Sequence, residues 1–258
     1  MNSTGNLVAL NTIVRREIVR IMRIWTQTLI PPAITMTLYF VIFGKLIGSR
    51  IGTIEGGFTY MQYIVPGLVM MSIITNSYGN ISSSFFGAKF SRAVEEMLVS
   101  PMPNWVILLG YVTGAVTRGV VVGALVLVIA LFFTHLHVVH PLITLASVIL
   151  GATIFSLAGF VNAVYAKKFD DIALVPTFVL TPLTYLGGVF YSVSMLGEPW
   201  RSISMINPIL YMVNAFRFGV LGASDVQIGV AFAVMLAFVI GLTVVALQLL
   251  KRGVGLRT

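Results

Sequence analysis

Residues 104–133 read NWVILLGYVTGAVTRGVVVGALVLVIALFF. One charged residue, Arg118, interrupts this stretch. An α-helix needs ~20 apolar residues to cross the hydrocarbon of a bilayer, and this run exceeds that. Similar runs lie on either side, at about 24–47, 60–85, 141–165, 172–191 and 227–250. The chain as a whole is 58% hydrophobic and 9% charged, whereas soluble domains carry about 25% charged residues. No soluble fold of 258 residues hides that much apolar surface. In hydrocarbon each backbone N–H and C=O must be paired within the segment, so the runs are helical. The expected fold is an all-α membrane protein, one domain over 1–258 with six transmembrane helices.

Two amphipathic segments flank this set. Over 6–23, Val14, Ile18, Ile21, Met22 and Trp25 fall on one side of a helix, and Arg15, Arg16, Arg20 and Arg23 on the other. That pattern suits a helix in the headgroup plane. The apolar patch 208–222 is too short to span. It opens with Asn207-Pro208, a helix start, and reads as a re-entrant or interfacial helix between the fifth and sixth spans. The basic residues set orientation. With the N-terminus cytoplasmic, inner segments hold Arg15, Arg16, Arg20, Arg23, Lys89, Arg92, Lys167, Lys168, Lys251, Arg252 and Arg257, against Lys45, Arg50, Arg201 and Arg217 outside. This asymmetry puts both termini inside, and interfacial tryptophans at Trp25, Trp105 and Trp200 agree.

The net charge of +8 therefore reflects topology. No basic stripe with interleaved aromatics points to nucleic acid. With no cysteines, disulfides and thiolate metal sites are excluded. The first residues do not have the order of a signal peptide, because the arginines follow residue 10 and lead straight into a span. No G-x-x-x-x-G-K-[ST] loop is present to cradle nucleotide phosphates. Any driving energy comes from a partner chain or an ion gradient.

Several residues carry candidate chemistry. The stretch 87–101, GAKFSRAVEEMLVSP, reads as a short amphipathic helix. Phe90, Ala93, Val94, Met97 and Leu98 form its apolar side, and Lys89, Arg92, Glu95 and Glu96 its polar side. It suits docking of a cytoplasmic partner or a solvated connector. Ser72, Asn76, Asn80 and Ser83 recur at helical spacing in the second span. Thr177, Thr181 and Thr184, followed by Tyr185, do so in the fifth. Such stripes line a path or hydrogen-bond neighbouring helices. Arg118 lies about 20 Å along its helix from Trp105. That places it deep in the membrane, unless the span starts late. Gly110 with Gly114, and Gly119 with Gly123, mark close helix packing. His135, His137 and His140 lack a standard zinc spacing and an adjacent acidic ligand, so no metal site is expected. Asp170 and Asp171 read as solvated loop residues.

The ordered set of segments resembles the ABC-2-type permeases of ABC transporters. It comprises Glu95-Glu96 followed by Leu98-Val99-Ser100-Pro101, Ile64-Val65-Pro66-Gly67-Leu68, Ser156-Leu157-Ala158-Gly159, Pro176 with Pro182 to Tyr191, and Ile206-Asn207-Pro208-Ile209 with Phe216-Arg217. The likeness covers nearly the whole chain and looks strongest to the small bacterial YadH-like subgroup. It implies a type V exporter-like fold in the bacterial inner membrane, working as a homodimer with two copies of a separate ATP-binding cassette ATPase. The partner would bind ATP and Mg; this chain would hold no cofactor and do no catalysis. The connector over 87–101 would be a coupling helix, with Lys89, Phe90, Arg92, Glu95 and Glu96 toward the ATPase. The substrate class implied is amphipathic or lipid-linked. The alternative is an ion-coupled secondary transporter, which needs an intramembrane carboxylate that none of the predicted spans contains.

Overall fold

The computed structural model describes residues 3–53 and 57–255. Glu55 and Arg257 lie outside these residues, as does the side chain of Lys45. Among the described residues the chain is helical apart from turns and one isolated bridge, Thr53 to Thr59. The helices are α1 (Ser3–Arg23), α2 (Trp25–Ile51), α3 (Tyr60–Phe90), α4 (Ala93–Val99), α5 (Asn104–Leu131), α6 (Pro141–Tyr165), α7 (Phe169–Leu186), α8 (Trp200–Ile206), α9 (Pro208–Leu221) and α10 (Ile228–Arg252). α2, α5, α6, α7 and α10 are long and apolar enough to cross a membrane.

α3 fills the centre of the bundle. It packs chiefly against α5 and α6, and also meets α9. Its 31 residues exceed the length of a span, but its polar residues keep it outside the apolar set. A helix enclosed by protein tolerates hydroxyls and amides that lipid would not. Its start is a capping box: Thr59 Oγ1 accepts from Gln62 N–H, and the Gln62 side chain accepts from Thr59 N–H. α5 and α6 bury 39% and 44% of their spans, against 12% for α2 and 11% for α7. The last two are therefore peripheral.

Several expected boundaries shift. The fifth span begins at Phe169 rather than 172 and ends at Leu186, because Gly187-Gly188 breaks the helix there. Gly188 has φ +69°, a conformation that costs glycine little. The stretch 87–101 is two elements: α3 continues through Phe90, the chain reverses at Ser91-Arg92, and α4 begins at Ala93. Arg92 carries the reversal with φ 62°. Lys89 and Phe90 thus end the central helix, and only Glu95 and Glu96 belong to the short connector helix.

The small residues of α5 act as expected of close packing. Ile13 and Glu17 of α1 lie over Gly110 and Gly114, while Ser77 and Ile73 of α3 lie over Gly119 and Gly123. A side chain at any of these positions would hold the helices apart.

Candidate functional site

Ser72 and Asn76 of α3, Arg118 of α5, and Pro31, Pro32, Met36 and Tyr39 of α2 line one cavity of about 300 Å³. Arg118 is the only charged residue among them. Its Nη2 donates to Asn76 Oδ1 at 3.4 Å, and its Nε is buried with no hydrogen-bond partner among the described residues. An arginine at the centre of a membrane helix costs about 2.5–3.5 kcal/mol on insertion scales. Pro31 and Pro32 remove backbone donors from α2 where it borders this cavity, and the helix passes into a π-helical turn over Phe40–Ile47.

The rest of the α3 stripe keeps its face but meets other neighbours. Asn80 is buried, and its Oδ1 accepts from Arg20 Nη2 of α1 at 2.8 Å. Ser83 is exposed, and its hydroxyl donates to Gly79 C=O at 2.8 Å within its own helix. In α7, Thr177 and Thr181 are exposed and bond to their own helix backbone. Thr184 is buried and bonds to Leu180 C=O at 2.7 Å. Tyr185 stacks on Phe190, with ring centroids 5.8 Å apart. Phe190 also meets Tyr39 and Phe43 of α2, at 5.9 and 4.9 Å. The two stripes do not share the cavity; aromatic contacts through Tyr39 link them.

α1 docks with a different face from the one expected. Ile13, Glu17 and Ile21 are buried, whereas Ile18, Met22 and Trp25 are exposed. The buried face turns inward because Glu17 is fully paired. Arg20 Nη2 lies 2.9 Å from Glu17 Oε2, Ser84 Oγ donates to its carboxylate at 2.7 Å, and Arg16 lies at 3.8 Å. Arg16 also donates to the Tyr111 hydroxyl of α5. Arg16 and Arg20 are therefore part of the bundle contact rather than a free polar face. Ile18, Met22 and Trp25 are left exposed on the other side of α1.

At the same end of the bundle, Lys89 Nζ donates to Val164 C=O at 2.6 Å and Ala166 C=O at 2.7 Å. It closes the carbonyl end of α6, where a cation is favoured. Phe86, Phe90 and Phe169 form an aromatic cluster beside it. Lys89, Phe90, Arg92, Glu95 and Lys167 rim a cavity of about 250 Å³. Glu96 and Arg92 are exposed. Asp171 is not merely solvated: its carboxylate accepts from the backbone N–H of Lys167 and Lys168 at 2.8 and 3.0 Å, starting α7.

The opposite end holds a network that sequence reasoning missed. Arg217 counts as an outer loop charge by position, but its side chain is wholly buried in α9. Its Nη2 donates to Gly188 C=O at 2.6 Å, and its guanidinium lies 3.9 Å from the Tyr63 ring centroid. Asp225 Oδ2 is 3.8 Å from Arg217 Nη1. Asp225 also accepts from Ser192 Oγ at 2.8 Å, Tyr63 Oη at 3.1 Å and Val193 N–H at 3.2 Å. Asn207 caps α9 by accepting from Ile209 N–H at 3.0 Å, and its amide donates to Leu183 C=O at 2.5 Å. These bonds give physical roles to the Gly187-Gly188, Asn207-Pro208 and Phe216-Arg217 segments. They tie α9 and the segment after α7 to the start of α3. The only clue in sequence is a lone arginine in an apolar patch.

The histidines do not converge on a metal. His140 stacks on Phe218 at 5.0 Å. Among the described residues no group of three or more His, Cys, Asp or Glu side chains could hold one.

Comparison with known proteins agrees with this arrangement. Residues 8–221 match the family described as ABC-2 type transporter. The chain is 57% identical over 251 residues to the inner membrane transport permease YadH of Escherichia coli (strain K12), covering 97% of this chain and 98% of the relative. It is 22% identical over 216 residues to nodulation protein J of Rhizobium leguminosarum bv. viciae, covering 83% of each. An all-helical bundle with several apolar spans, matched by this family over most of its length, is a multi-pass transport permease: the chain belongs to the ABC-2 type transporter family.

Proposed function

We propose that this chain is the permease subunit of an ATP-driven exporter, moving an amphipathic or lipid-linked molecule across the bacterial inner membrane. A separate ATP-binding cassette subunit, in two copies, binds ATP and Mg and does the hydrolysis. The observation that carries this reading is the continuity of α3. One helix runs from the cavity residues Ser72 and Asn76 to Phe90, then reverses through Arg92 into α4. From Asn76 to Phe90 is about 20 Å at 1.5 Å per residue. A displacement imposed on α4, with Glu95 and Glu96, reaches the cavity through a single rigid element. In this reading α3 is a sixth span, its polar residues shielded by its neighbours. Both termini are cytoplasmic, and α1 lies in the inner headgroup plane. α8 and α9 cap the outer end. Two copies of the chain meet through α2 and α7, the spans least covered within one copy.

An ion-coupled carrier needs a titrating carboxylate in its path. The buried carboxylate found here, Glu17, lies on α1 and is held by two arginines and a hydroxyl. That favours a structural role for it. The test is to purify the tagged permease in mild detergent and identify the chains that accompany it. A cassette ATPase is expected to co-purify, and to be lost when Glu95 and Glu96 are both changed to Arg. A well-folded permease with no ATPase would leave the ion-coupled carrier as the better reading.

A further inference from the structure

Ion pairs hold three of the arginines that pack against the bundle. Glu17 takes Arg16 and Arg20, and Asp225 takes Arg217. Among the described residues, no carboxylate lies within ion-pair distance of Arg118. Its one hydrogen bond, to Asn76, is long at 3.4 Å; its Nε is buried and unpartnered, as are those of Arg20 and Arg217, so what sets Arg118 apart is the missing carboxylate. Arg20 is within electrostatic reach, but it carries the same sign, and its Nη2 is given to Glu17 and Asn80. Arg118, itself partly buried, thus brings a positive charge with no carboxylate partner to a half-open cavity of about 300 Å³ between α2, α3 and α5. The same cavity is walled by Pro31, Pro32, Met36 and Met71.

We infer that this cavity binds the anionic group of an amphiphile, with Arg118 as the residue that reads the charge. A guanidinium presents planar paired donors that match a phosphate or carboxylate, and it stays charged when desolvated. A cationic ligand would be repelled. A neutral polar ligand would leave the charge uncompensated. The proline and methionine wall takes an apolar chain; methionine adapts to chains of differing shape. Asn76 orients the guanidinium from α3, the helix that ends at the connector. Occupancy of the cavity and displacement of α3 are therefore linked through one hydrogen bond. The step from binding to transport rests on the exporter reading; the binding itself does not.

The test uses the full-length permease alone, in a neutral maltoside detergent, so failure of the ATPase assignment leaves it intact. Dodecyl phosphate, the uncharged dodecanol and inorganic phosphate are titrated separately, with binding read by thermal shift. Native mass spectrometry of the same preparations reports anionic phospholipid retained from the membrane. Saturable binding of dodecyl phosphate is expected, with dodecanol and inorganic phosphate each weaker by about tenfold or more. Arg118→Gln should lose that advantage, Arg118→Lys should keep part of it, and Arg201→Gln on exposed α8 should change nothing. If Arg118→Gln fails to fold, Asn76→Ala serves, with a smaller loss expected. Retained anionic phospholipid that disappears in Arg118→Gln makes a bilayer lipid the occupant. Arg118-dependent binding of dodecyl phosphate with no retained lipid points instead to cargo. Equal binding of dodecyl phosphate by wild type and Arg118→Gln, or inorganic phosphate binding as tightly as dodecyl phosphate, overturns the inference.

Discussion

Arg217 on α9 and Arg118 on α5 each interrupt an apolar helix with a guanidinium, yet only one is enclosed by compensating groups. Arg217 has a carboxylate, a carbonyl and an aromatic face around it. Arg118 has one amide oxygen and a cavity. A buried charge whose partner comes from the same chain holds elements together, because removing either member strands the other. A charge met only by one long amide contact adds little to holding the helices and leaves donors free for a ligand. The same residue type in similar apolar sequence thus has opposite energetic signs, set by what the fold brings within 4 Å.

Stability measurements can break this contrast. Asp225→Asn leaves the wholly buried Arg217 without its carboxylate. It should cost about 3–5 kcal/mol, read as a lowered thermal midpoint of the purified protein. Glu17→Gln should cost less, about 1–3 kcal/mol, because Arg16 and Arg20 are partly exposed and recover water. It should also increase proteolytic cutting between α1 and α2. Gly114→Leu places a side chain where Glu17 lies. It should loosen α1 by about 1–3 kcal/mol, and a protein with an unchanged midpoint and unchanged cutting would show that α1 does not dock there. Arg118→Gln is the smallest effect and the sharpest discriminator. Its midpoint should stay within about 0.5 kcal/mol of wild type or rise. A loss as large as that of Asp225→Asn would mean that Arg118 is a structural charge after all.

The spans were legible in the sequence because hydrocarbon imposes one rule, a long apolar helix, on every stretch that crosses it. α6 runs over the expected 141–165, and the α9 start follows from Asn207-Pro208. Faces were less legible. The helical wheel of α1 sets Ile21 with Ile18, Met22 and Trp25 against the arginines, whereas Ile21 is buried, the other three are exposed, and Arg16 and Arg20 join the bundle contact. It could not tell that Glu17, flanked by cations, would turn inward to α5, because that depends on Gly114 and Ser84 lying opposite. The end of α3 differs for a related reason: 87–101 reads as one connector helix separate from the span at about 60–85, but Lys89 binds two carbonyls of α6 and the central helix continues to Phe90. Arg217 was invisible as a structural residue because its partners Gly188, Tyr63 and Asp225 are distant or unremarkable in sequence. Polar pairing across helices is a property of three dimensions, whereas apolar periodicity is one of the chain.

The proposed coupling is tested most directly by ATP hydrolysis in lipid nanodiscs containing the permease and any cassette ATPase that co-purifies with it. Wild type is expected to support steady hydrolysis. Glu95→Arg with Glu96→Arg should lower it tenfold or more, at about 1.4 kcal/mol per tenfold, while Arg201→Gln leaves it unchanged. Hydrolysis indifferent to the Glu95 and Glu96 changes in a well-folded complex would contradict the account that α4 carries the ATPase stroke into α3.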